Sequence, residues 1–152
     1  MEKIRNFKIS IIVPVYNVRN YISECFNSIV AQTFNEKTEC IFVDDCGQDD
    51  SIEILNKLIS HYQGCIDFKI CHHDKNKGQS AARNTGIKNA DGEIITFLDD
   101  DDWYLSQKIE KQVDYLLSHP EFRAVYCGWI RNGKENLPFD EGDLSYNILS
   151  GD

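Results

Sequence analysis

Glu93-Ile94-Ile95-Thr96-Phe97-Leu98-Asp99-Asp100-Asp101-Asp102 joins an apolar run to four consecutive carboxylates with nothing between them. Ile94–Leu98 is β-branched and aromatic, the composition of a buried strand. The four acids that follow repel one another, and a chain without a use for them would be more stable lacking them. Such a run can be a solvated acidic turn, and Asp102 can cap a helix starting near Leu105. A run placed directly at the end of a buried strand suggests something more specific. A hard divalent ion takes one or two carboxylates and leaves positions for substrate phosphates.

Working outward, the same transition from strand to polar end recurs. Lys8–Val13 is an apolar run stopped by Pro14 and followed by Val15-Tyr16-Asn17. Glu39–Val43 is a second, ending in Asp44-Asp45-Cys46-Gly47. Ile66–Cys71 is a third, and Phe122–Trp129 is expected to be a fifth. Between them lie helical patterns at Asn20–Gln32, Ser51–Tyr62, Gln79–Asn89 and Leu105–Ser118, the last stopped before Pro120. The order βαβαβαβαβ predicts an α/β fold, a mostly parallel sheet flanked by helices, Rossmann-like in its nucleotide-binding half. In such sheets ligands sit at the carboxyl ends of the strands. The ends at Pro14–Asn17, Asp44–Asp45 and Asp99–Asp102 can therefore converge on one crevice. Residues 1–130 are read as this domain, and Arg131–Asp152 as a polar tail or the start of a further half.

The bulk numbers narrow the partners. The chain has 152 residues, 41% hydrophobic, enough for one core without disulfide staples. Its 16 Lys plus Arg against 25 Asp plus Glu give a net charge of -9. That sign argues against nucleic acid, which needs a basic footprint. It also means that an anionic substrate would need a cation between it and the acids. The six cysteines show no C-x-x-C spacing and read as reduced, mostly buried thiols. Met1–Lys8 is not followed by an apolar stretch fit for a signal peptide or a span, so the expected location is cytoplasmic, with membrane contact only through further parts of a longer protein.

Individual residues take on candidate roles at the strand ends. Asp45 can accept from a base N–H or a ribose hydroxyl, whereas Asp49 and Ser51 read as helix-capping chemistry. Tyr16 offers a ring on which a nucleobase can stack, worth about 1–3 kcal/mol. Asn76-Lys77-Gly78-Gln79-Ser80-Ala81-Ala82-Arg83 turns tightly into a helix in which Arg83 follows a run of small residues. Arg83 can pair with a diphosphate or brace the carboxylates. His61, His72, His73 and His119 have no metal-ligand spacing and are assigned no role. No G-x-S-x-G, Walker A or G-x-G-x-x-G sequence occurs. A phospho-acceptor signalling domain would want its acidic pair after the first strand. A nucleotidyltransferase would want a basic glycine-rich loop where Pro14–Asn17 stands.

Taken in order, these pieces resemble the family-2 glycosyltransferases, which have the GT-A fold. The matching residues are Ile11–Asn17, Gln32-Thr33-Phe34, Val43-Asp44-Asp45, Gly78 with Ala82-Arg83-Asn84, Gly86-Ile87, Gly92-Glu93-Ile94, Phe97–Asp102, and Lys108, Glu110 and Gln112. The resemblance implies a nucleotide-diphosphate sugar as donor, UDP-sugar in the first instance, and a saccharide or lipid-linked acceptor. It implies Mn2+ or Mg2+ as cofactor, with Asp101 and Asp99 as ligands. It places Pro14, Tyr16 and Asp45 at the base, Asp99 near the ribose, Asp100 beside it in the acidic motif, and Arg83 on the nucleotide. It also implies an inverting reaction in which a carboxylate deprotonates the acceptor. Two departures stand out. Asp45-Cys46-Gly47-Gln48 replaces the family's usual Asp-Asp-Gly-Ser. No acid after Trp129, including Asp140, Glu141 and Asp143, falls in a convincing counterpart of the catalytic base. The base is expected beyond residue 152, and the chain alone is expected to bind donor with little or no transfer. The alternative is a non-catalytic nucleotide-binding module.

Overall fold

The computed structural model of the protein describes residues 7–34 and 36–136. Strands β1 (Ile9–Val15), β2 (Thr38–Asp44), β3 (Asp67–His72) and β4 (Ile94–Phe97) alternate with helices α1 (Ile22–Val30), α2 (Ser51–His61) and α3 (Gln79–Lys88). Helix α4 (Lys108–Ser118) follows, then β5 (Trp129–Arg131) and β6 (Lys134–Asn136). The four long strands form one sheet in the order β3-β2-β1-β4, every pair parallel. This is the expected α/β architecture. Strand β1 lies at the centre with all seven residues buried, which is why its sequence is apolar throughout rather than alternating.

The two faces of the sheet follow the two-residue period of β2. Ile41 and Val43 pack with Ala82 of α3 on one face. Phe42 turns to the other, where it stacks with Phe26 and Phe68, ring centroids 6.5 and 6.2 Å away. Helix α3 can lie close to the sheet because Gly86 stands over Ile12, whose methyl would be only 2.3 Å from a Cβ at that position.

Pro14 does not stop β1, as the sequence suggests it should. Ile12 accepts from Leu98 N–H and Val15 from Asp45 N–H, so the even residues of β1 face β4 and the odd ones face β2. The missing N–H of Pro14 therefore points to the β4 side, beyond the last registered pair, Ile12 with Phe97. Nothing is lost there.

Two further expectations are corrected. Phe122–Trp129 is not a fifth parallel strand: residues 122–128 are irregular, and only Trp129–Arg131 is extended. It pairs antiparallel with Lys134–Asn136 around Asn132-Gly133, both at positive φ (52° and 72°). Asn-Gly is a strong hairpin signal, and it recruits the apolar Trp129-Ile130 into a local ribbon. Arg131–Asn136 is thus part of a hairpin, while the rest of the tail lies outside the described residues. Asp102 does not cap a helix either, since α4 begins six residues later at Lys108.

The chain divides into two compact units at Glu110/Lys111. In the first, Gln32 and Thr33 hold the segment leading into α4: Gln32 Nε2 donates to Leu105 O (2.9 Å), and Thr33 Oγ1 donates to Glu110 (2.6 Å). In the second, Tyr115 stacks with both His119 and Phe122, with Tyr115 and His119 centroids 4.2 Å apart. No helix among the described residues is long and apolar enough to cross a membrane.

Candidate functional site

Parallel register brings the predicted residues to one edge. Val15 of β1 is level with Asp44 of β2, and Asp44 with His72 of β3. The four aspartates follow β4, on the other flank of β1. The first and fourth strand ends are tied directly. Asp100 Oδ2 accepts from the backbone N–H of Tyr16 at 2.9 Å. Asp100 is therefore turned toward the end of β1. It joins the acidic turn to the residue expected to stack on a base, whose ring remains 46% exposed. Pro14, one turn of the pleat earlier, is buried.

Asp99 faces α3. Its Oδ1 accepts from Arg83 Nη2 at 2.5 Å and from Gln79 Nε2 at 3.1 Å. Arg83 thus braces a carboxylate, one of its two expected roles, and about a third of its side chain stays exposed. Asp101 and Asp102 are exposed. The charge of this turn is only partly compensated. Burial pushes the Asp100 carboxyl up to about 6 against the pull of the Tyr16 N–H, and repulsion from Asp101 and Asp99 adds to the rise. Asp102 is raised by burial and by the same neighbours. Beneath the turn, burial first and then the four aspartates push the Cys25 thiol up to about 12, which keeps it neutral and unreactive.

Asp45 is more enclosed than its predicted role suggests, at 3% exposure. Its Oδ1 accepts from His73 Nδ1 (2.6 Å) and Lys77 N–H (2.8 Å), and its Oδ2 from Gly78 N–H (2.7 Å). Burial acts to raise its pKa, but these bonds outweigh it and hold the carboxyl below the usual range. Of the roughly four acceptor positions of a carboxylate, one remains for a ligand. Asp44 is less enclosed: it accepts from Gly47 N–H (3.1 Å) and pairs with His72 Nδ1 (3.0 Å). Gly78, at φ 87°, makes the turn that aims its N–H at Asp45. Asp49 lies one residue before the N-cap of α2, which is Asp50 and makes no side-chain cap bond; Asp49 itself accepts from the Ser51 N–H and hydroxyl and from the Arg19 N–H.

The departure at Cys46-Gly47-Gln48 is a change of turn residue. Cys46 itself takes the left-handed conformation, φ 62°, and Gln48 N–H is held by Asn17 Oδ1 at 2.7 Å.

Sequence reasoning overlooked Gln79 and both histidines of the doublet His72-His73. A signal was present. Two carboxylates end one strand and two imidazoles end its neighbour, and parallel register sets them face to face.

As for a cation, the acidic turn offers only hard carboxylate oxygens, which suits Mn2+ or Mg2+. Among the described residues, no three His, Cys, Asp or Glu side chains gather into a group that could hold a metal by themselves. The donor set fits an ion that completes its shell with water and substrate phosphate.

Residues 10–148 match the family model described as Glycosyl transferase family 2. The chain is 40% identical over 111 residues to an uncharacterized glycosyltransferase of Haemophilus influenzae, covering 73% of this chain and 43% of that protein. It is 41% identical over 113 residues to glycosyltransferase GlyA of Streptococcus pneumoniae, covering 71% and 15%. It therefore spans less than half the length of either. Among solved structures, Staphylococcus aureus TarS 1-349 in complex with UDP is similar at a TM-score of 0.67 and 31% identity, over 74% of this chain and 33% of that one. The mannosyltransferase PcManGT from Pyrobaculum calidifontis, in complex with GDP-Man and Mn2+, matches at a TM-score of 0.69 over 74% and 33%. At 23% identity that likeness concerns the fold alone.

Proposed function

This chain belongs to glycosyl transferase family 2 and has its GT-A-like fold, and from that premise we propose that its strand-end crevice binds the nucleotide-diphosphate sugar for transfer to a saccharide or lipid-linked acceptor. The observation that carries this reading is the direct bond from Tyr16 to Asp100. It makes a base-stacking position and an acidic, under-compensated turn parts of one hydrogen-bonded unit.

In this reading Tyr16 and Pro14 line the base pocket. Asp45 builds its floor and offers its remaining acceptor position to a base N–H, uracil in the first instance. Arg83 orients Asp99 toward the ribose and presents its exposed edge to the diphosphate. Asp101 and Asp99 would hold Mn2+ or Mg2+, which would supply positive charge against the leaving diphosphate. Asp100 acts from inside the turn by fixing the end of β1. Transfer is inverting, and the carboxylate that deprotonates the acceptor comes from outside the described residues.

Support comes from the enclosed polar floor at Asp45, from the free Tyr16 ring, and from TarS, whose solved complex contains UDP. Calorimetry with UDP tests it. Binding should require Mn2+ and should fall at least about tenfold, 1.4 kcal/mol, in Asp101→Ala. Equal affinity in a chelator would overturn the metal assignment, and no binding of UDP under any condition would overturn the donor-site reading.

A further inference from the structure

We propose that His73 is a positioning residue that locks α3 onto the ends of β2 and β3 and so fixes Arg83 against Asp99. His73 lies one residue past β3, with its side chain 5% exposed, and both ring nitrogens are engaged. Nδ1 is 2.6 Å from Asp45 Oδ1, and Nε2 is 2.8 Å from Thr85 Oγ1. Asp45, held ionised, can only accept, so Nδ1 carries a proton. In the neutral ring Nε2 then accepts the Thr85 hydroxyl proton. The imidazole is a buried strut between a strand-end carboxylate and the second turn of α3.

Helix α3 is thereby held at two points. Asp45 takes the N–H groups of Lys77 and Gly78 where the helix begins, and His73 takes Thr85 further along. Gln79 and Arg83 lie between these anchors, and both reach across to Asp99 Oδ1. The helix has little other side-chain purchase. Apart from Ile87, which is exposed, its residues are small or polar, and only Ala82 and Gly86 are buried. A helix packed through an alanine and a glycine has few interlocking side chains to set its rotation. The strut supplies that constraint. His73 thus acts on the acidic turn through Thr85, α3 and Arg83, without touching it.

Thr85→Val removes the hydroxyl at nearly constant volume, and Thr85→Ser keeps it. Two readouts separate positioning from general stability. The first needs no ligand: the side-chain N–H signals of Arg83 in 15N-labelled protein. They should move toward the free-guanidinium position in Thr85→Val and stay in place in Thr85→Ser. The second rests on the donor-site reading: affinity for Mn2+ and UDP should drop roughly fivefold to tenfold in Thr85→Val. In an Arg83→Lys background the same substitution should cost less than about twofold, because coupled residues are non-additive. Unmoved Arg83 signals, or an equal loss in both backgrounds, would overturn the proposal. If the protein binds no nucleotide, the donor-site reading falls, and the Arg83 signals alone still decide the role of His73.

Discussion

Glu39, at the start of β2, is fully buried, yet its carboxyl lies at about 2. Burial works to raise it, but bonds from Lys69, Ser10, the Asp91 N–H and Lys8 outweigh that effect. At the other edge of the same sheet, Asp100 is only partly buried, yet its carboxyl is raised to about 6. Its donors are the backbone N–H groups of Tyr16 and of Asp100 itself, and Asp101 and Asp99 repel it. The difference teaches what each edge is for. Around Glu39, Lys69 Nζ at 2.8 Å and Lys8 Nζ at 3.0 Å satisfy the charge, and the network staples β1, β2, β3 and the turn before β4. Around Asp99–Asp102, Arg83 pairs with one of the four carboxylates, Asp99. A finished edge makes structure, and an edge short of positive charge is what the donor site proposed above requires.

The sharpest way to break this comparison is to unbalance the finished edge. Glu39→Gln leaves Lys8 and Lys69, both partly exposed and still near Asp91, facing an uncharged partner, and should cost about 1–3 kcal/mol in chemical denaturation, the range for losing charged hydrogen bonds to a buried group. The pH dependence has a definite sign. The folded pKa of Glu39 is below its ordinary 4.5, so its contribution is complete above about pH 4.5 and is lost as pH falls toward about 2. Wild-type stability should decline across that window, and Glu39→Gln should flatten the decline. A variant as stable as wild type would mean that the lower edge is no staple.

The opposite edge should respond in the opposite sense. Asp100→Asn keeps an oxygen for the Tyr16 N–H and removes a carboxylate that burial and repulsion disfavour. Ligand-free stability at pH 7 should rise by about 1 kcal/mol, allowing for solvent screening, as a higher unfolding midpoint. A fall of that size would show that the negative charge is compensated after all.

Much of this was legible in the sequence. Apolar runs with polar ends gave the strands, their alternation with amphipathic helices gave the parallel sheet, and sheet topology gave the convergence of Tyr16, Asp45 and Asp99–Asp102. Other features were hidden because they depend on register or on competition. The strut through His73 requires knowing that β3 pairs with β2 so that Asp44 meets His72. The fate of Phe122–Trp129 was decided by Asn132-Gly133, a turn signal that lies after the run it reorganises. Pro14 was misleading because its effect depends on which neighbour its nitrogen faces. The enclosure of Asp45 came from backbone N–H groups at Lys77 and Gly78, which no side-chain pattern announces.

The central claim is that the acidic edge is built for a charge it does not itself contain. Denaturation of wild type and Asp101→Asn, each with and without Mn2+ and UDP, tests it most directly. A crossover is expected: without ligand Asp101→Asn is at least as stable as wild type, and with both ligands wild type is the more stable. The same ranking under both conditions would contradict it.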